Sequence, residues 1–454
     1  MAEQRFGYGR STNVAAPTDA REMLSLLAGT DLAQQQYPIP TYRDLQDTLV
    51  LRRRFDSYAR KNPETTEGKD ARKKSQEILR NMRQEQGKWF AQLQLRRITG
   101  QQGFRERLVA FWADHFTALG KNGLLRVATP LYIEEAVRPN INGTFGALLI
   151  SCVTHPLMLH YLDQNTSVGP NSRAAQRRAR LRGLNENLAR EVLELHTLGV
   201  DAPYVQADVR ELAKLFTGLA ATRNYGFKFR GNMAEPGEET VLGKTYGHKA
   251  SLASIREVLQ DLARHPATAA HIARKLAVHF VSDTPPEDLV RDITAAYLRS
   301  DGTLSACYAA LLEHPLAWTT PVTNIRPPDE YVSSAMRALG VKRETLQGLK
   351  YSAVRDFFFQ PLRLMGQPWM SPTGPDGFAE DDGAWVTPQG ISARLEWAMN
   401  TPARLVQELP DPREFVREIL GDDAPPAVVF AAKAAEDRRV AIGLVLASPA
   451  FQRR

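Results

Sequence analysis

The chain reads as all-α, one large helical domain with a small β-hairpin insertion, and three observations predict it. Apolar residues recur at helical spacing along most of the 454 residues. Residues 68–98 form a long, highly charged amphipathic run rich in the good helix formers Gln, Arg, Lys and Leu. A strand signal is confined to residues 223–246.

Taken in order, the long run is followed by expected helices at 103–119, 128–141, 143–161, 184–198 and 205–219. Beyond the hairpin, four more are expected at 251–264, 266–281, 286–299 and 303–313, with an Ala-rich helical tail over 391–450. The hairpin is expected from Tyr225–Phe229 and Thr240–Leu242 around a Gly/Pro/Glu turn. His155, His265 and His314 each precede proline, where helices end or begin. Two irregular stretches are long enough to be functional or disordered. One is the polar, Arg-rich loop 162–183, the other the Gly/Pro-rich loop 363–390 with Trp369, Phe378 and Trp385. Those aromatics either wall a ligand groove or anchor the loop on the helical body. No repeat of 20–50 residues is visible, so residues 1–454 are expected to form a single unit.

Composition is that of a globular protein, with 43% hydrophobic and 24% charged residues and a net charge of +7. Cys152 and Cys307 stand alone, which argues against a disulfide or Cys-based metal framework. No apolar run is long enough to span a membrane. The amino terminus carries no signal-peptide h-region, so a cytoplasmic location is expected. Periplasmic location through co-export or a removed signal is the alternative.

Candidate chemistry centres on two helices. In 185–200, Leu188, Ala189, Val192, Leu193 and Leu195 share one arc, and His196 falls within it. In 103–119, His115 lies among Leu108, Val109, Phe111, Trp112 and Phe116, while Asp114 points away. Two imidazoles on apolar faces suggest one internal site, as metal ligands or an acid/base pair, or two separately hydrogen-bonded core histidines. On the polar arc Glu186, Arg190 and Glu194 stand at i, i+4 and i+8 beside Glu191. They form either a carboxylate cluster tuned by arginine or a solvated salt-bridge ladder. His271, Lys275 and His279 make a similar row, read as a polar helix flank. Arg173, Arg177, Arg178, Arg180 and Arg182 have no interleaved aromatics, which argues against nucleic acid. They could dock an acidic protein. Arg52–Arg54 and Arg72–Lys74 read as helix surface. No cofactor motif is present, and the glycines around Glu238 and Glu239 are wrongly spaced for a phosphate loop.

Several blocks resemble one family. They are Phe111-Trp-Ala-Asp-His-Phe116, His155–Asp163, Asn185–Val200, Val205–Val209 and Phe216-Thr-Gly218, then Lys275–Pro286, Gly366–Trp385 and Ser448–Arg453. Together they are similar to the bacterial DUF1800 proteins. The resemblance implies a large helical unit of unassigned function, often encoded beside DUF1501 proteins that are similar to sulfatases. Thr217-Gly218-Leu219 stands where the family commonly has Thr-Gly-Trp, and Ala234-Glu235 replaces a family histidine. Two functions follow as expectations. One is an enzyme, hydrolytic or metal-assisted, using His115, His196, Glu186, Arg190, Glu191 and Glu194. The other is a non-catalytic partner, maturation or co-export factor for a DUF1501-like protein.

Overall fold

The computed structural model describes residues 1–177, 183–222, 224–247, 250–421 and 424–454. Arg178, Arg180 and Arg182 of the basic loop lie outside the described residues. Helices dominate, and the longest, Thr66–Thr99, begins where the Thr65 side chain accepts the Gly68 N–H at 3.0 Å. It packs antiparallel to Tyr42–Lys61 as a charged arm. Its last turns enter the body, where Trp89 and Leu93 join one hydrophobic core. Phe90, Leu95 and Ile98 join a second core, built otherwise from residues beyond 330 and Tyr37.

The expected helices 251–264, 266–281, 286–299 and 303–313 appear as Leu252–Arg264, Pro266–Phe280, Glu287–Arg299 and Leu304–Glu313. Three His-Pro pairs open helices in the same way. The imidazole Nδ1 of His155 accepts the Leu157 N–H at 3.1 Å, that of His265 the Ala267 N–H at 3.1 Å, and that of His314 the Leu316 N–H at 3.2 Å. Each imidazole does the work of a Ser or Asp cap, while proline supplies the helical φ of the first residue.

Elsewhere regular helices break. The expected 128–141 helix is Thr129–Tyr132, a π-helical turn over Ile133–Val137 and a 3₁₀ turn over Arg138–Asn140. The expected 143–161 helix is split by His155-Pro156 into Phe145–Val153 and Pro156–Tyr161. The 184–198 helix is α-helical only over Asn187–Glu191 and π-helical over Val192–Thr197, with the Leu198 N–H bonded to Leu193 O at 3.0 Å.

The strand segment forms two hairpins, where one was expected. Leu219–Ala221 pairs with Phe227–Phe229, and Glu239–Val241 pairs with Lys244–Tyr246. The second turn holds Leu242 at φ 50° and Gly243 at φ 77°, the two positive φ angles of a tight hairpin turn. Leu219-Ala-Ala221 carries no β-branched residue, so it gave no strand signal, and the preceding helix was expected to run to Leu219. Among the described residues, no helix is long and apolar enough to cross a membrane. Both cysteines are buried and unbridged.

Candidate functional site

A partly enclosed cleft lies between the two cores, about 930 Å³ counting its open mouth. The Gly103–His115 helix presents Arg107, Phe111 and Asp114 to it from one face. Thr66–Thr99 adds Arg97 from its last turn, Pro266–Phe280 adds His279, and Pro328–Ala338 adds Asp329 and Glu330 from its first turn. The Gly/Pro loop closes one side with Trp369, Met370, Phe378, Glu380 and Trp385.

Guanidinium groups lie beneath the acids. Arg97 Nη1 donates to Asp329 Oδ2 at 2.6 Å, and Arg107 Nη1 donates to Glu330 Oε1 at 2.9 Å. Arg454 Nη1 donates to the other Glu330 oxygen at 2.9 Å. Arg107 Nη2 lies 3.1 Å from His279 Nε2, which must therefore accept. Its Nδ1 then carries the proton and donates to Glu380, 2.9 Å from either carboxylate oxygen. These partners assign the tautomer.

Asp114 has no such cation in contact. It accepts the Phe378 backbone N–H at 3.0 and 3.2 Å. Burial pushes its carboxyl up to about 7, the Phe378 N–H offsets part of that, and the charge of Glu380 adds to it. Burial acts on Glu380 in the same direction. There it is outweighed by His279, Lys275 and Arg107, which hold Glu380 below the ordinary carboxylate range. The loop comes this close because residue 377 is glycine at φ +81°, where a Cβ would sit 2.5 Å from Asp114 Oδ2.

The candidates read from sequence fall into two other groups. His115 and His196 do meet in the core, with ring centroids 6.0 Å apart and His115 Nε2 donating to the His196 carbonyl at 3.1 Å. His271 joins them, 6.3 Å from His115. Burial, reinforced by Lys275, lowers all three, His196 to about 3 and His271 to about 4, so the rings are neutral. Both ring nitrogens of His196 lack a hydrogen-bond partner among the described residues. Glu186, Arg190 and Glu194 form a half-exposed ladder. Arg190 lies 3.2 Å from Glu194 and 3.7 Å from Glu186, and Gln206 bridges Arg190 and Glu186. Glu191 is half-buried, raised by burial and then by Glu194. Neither group lines the cleft. Among the described residues, no group of three or more His, Cys, Asp or Glu side chains could hold a metal ion.

Sequence reasoning missed Asp114, His279, Glu380 and the arginines beneath them. Two signals pointed there: arginines at 105 and 107 inside an apolar helix, and acids within the Trp-bearing loop. The same periodicity that turned Asp114 off the apolar arc turned it into the cleft.

A family model described as a protein of unknown function, DUF1800, matches residues 2–453. The chain belongs to the DUF1800 family. Searches of curated proteins and of solved structures returned no match. In this DUF1800 protein the resemblance blocks at 111–116, 275–286 and 366–385 supply Asp114, His279 and Glu380.

Proposed function

We propose that this DUF1800 protein is a hydrolytic enzyme working by general acid–base catalysis in the cleft that holds Asp114 and Glu380. One observation carries the reading: two carboxyls share a cleft whose surroundings push them in opposite directions, Asp114 up to about 7 and Glu380 down. Such a split assigns acid and base. Asp114, still protonated near neutrality, gives its proton to the leaving atom. Glu380, ionised, takes a proton from water, whose oxygen bonds to the substrate as the leaving bond breaks. His279 orients Glu380 and does not itself face substrate as a base, because Arg107 occupies its Nε2. Phe111, Trp369 and Phe378 supply apolar walls that limit water.

The test uses substrates whose leaving groups need a proton: alkyl glycosides, alkyl esters and amides, with products followed by chromatography. One class is expected to turn over, with kcat/KM declining above about pH 7. Asp114→Asn should lower kcat by roughly 100-fold or more. Absence of turnover in every class, or turnover indifferent to both Asp114→Asn and Glu380→Gln, overturns the reading.

A further inference from the structure

We infer that an open groove on the charged arm, remote in sequence from the cleft residues, is a binding site for a phosphoryl group. The arm helix Tyr42–Lys61 carries Arg52, Arg53 and Arg54 in succession, and successive residues on a helix point about 100° apart. Arg52 turns back to its own helix and the body, 3.4 Å from Asp56 and packed over Gly123. Arg53 and Arg54 turn the other way. With Ser57, Tyr58 and Lys61 they form one wall of the groove, and Asn224 of the first hairpin turn forms the opposite edge.

That edge is a built feature. The Thr222 hydroxyl accepts the backbone N–H groups of Asn224 at 3.2 Å and Gly226 at 3.1 Å, which fixes the turn carrying Asn224. The two edges come from segments some 170 residues apart in sequence, between Arg54 and Asn224.

Among the described residues, the lining contains three cationic side chains, three neutral hydrogen-bond donors and no carboxylate. Of the acids on the wall helix, Asp56 is engaged by Arg52 and by the Ser75 hydroxyl, and Asp44 and Asp47 lie outside the lining. Arg54 and Lys61 have no hydrogen bond or ion pair to any described residue. They lie two turns apart on one face, with Tyr58 47% exposed between them. Donors surrounding an acid-free concavity recognise an anion. A tetrahedral phosphoryl group, with three oxygens and up to two charges, uses more of these donors than a planar monoanionic carboxylate does. The ligand class is therefore a phosphate ester or diphosphate.

Pyrophosphate titrated into the full-length protein by calorimetry, with vesicles containing phosphatidylglycerol as a second arm, tests this. Saturable 1:1 binding of pyrophosphate is expected, weakened roughly tenfold in Arg54→Gln and in Lys61→Gln. It should be unchanged in Arg72→Gln, an exposed arginine on the neighbouring arm helix and outside the groove. Vesicle binding lost in the same two variants, together with pyrophosphate binding, identifies the phosphoryl group as a lipid headgroup. No saturable pyrophosphate binding overturns the inference. So does an equal loss in all three variants, which reduces the arm to a diffuse basic surface, or binding to vesicles alone.

Discussion

Asp114 shows what burying a single carboxyl beside a second one costs. Its unfolded value is the ordinary 3.8 and its folded value about 7. The folded chain therefore holds a proton that the unfolded chain has released throughout that interval. The stability this contributes is complete below about 3.8 and is lost as pH rises to about 7. Asp114→Asn keeps an oxygen to accept the Phe378 N–H and removes the charge. The variant should match the parent near pH 4 and exceed it by roughly 2 kcal/mol at pH 8, allowing for the cleft's open mouth. Urea unfolding at the two pH values measures this. A gap that does not widen with pH would show the carboxyl to be ordinary. The neutral imidazoles of His115, His196 and His271 work in the opposite sense. They resist protonation in the fold, so they withdraw stability as pH falls below 6.5.

At the level of elements, one π-helical turn carries an acid that faces inward. Ile133–Val137 widens the helix so that neighbouring Glu134 and Glu135 both find partners. Glu134 takes a bidentate contact from Arg96 at 2.6 and 3.1 Å, and Glu135 accepts the Arg43 N–H at 2.8 Å. The Arg96–Glu134 pair is buried, so Glu134→Ala strands a guanidinium and should cost about 3–5 kcal/mol. Glu194→Ala removes the same charge from the half-exposed ladder and should cost under about 1 kcal/mol. Chemical denaturation of the two variants side by side separates a buried pair from a surface one, and equal losses would contradict the burial.

The π-helical turns mark what sequence could and could not show. Thr66–Thr99 and the four helices from Leu252 to Glu313 were legible, because their apolar stripes keep one period from end to end. A π turn inserts a residue without changing composition, so 128–141 and 184–198 read as regular. The sequence left His115 and His196 open between one shared site and two separately bonded core histidines; the rings lie 6.0 Å apart, with His115 bonded to the His196 carbonyl. The cleft was not legible, since its acids come from a helix face, a helix flank and a loop that only tertiary packing brings together. Trp369, Phe378 and Trp385 were read as either groove wall or anchor, and all three line the cleft.

At the scale of the molecule, the cleft sits where two hydrophobic cores meet. One is built around Phe111, Trp112, Phe145 and Leu193, the other around Tyr331, Phe358, Trp397 and Phe451. Trp369 packs against both. At this junction the buried Arg97 and Arg107 pair with Asp329 and Glu330, so these two acids carry their counter-charges within the cleft floor.

The last turns of Thr66–Thr99 carry the further consequence. Trp89 and Phe90 are adjacent, yet they belong to different cores. Melting either core would leave this helix with one side stripped, and an isolated helix gains little from propensity alone. Calorimetry should thus record a single endotherm, with the van't Hoff enthalpy close to the calorimetric one. Two resolved peaks would mean that each core melts alone. Cooperativity, in a chain this long, is what a shared helix provides.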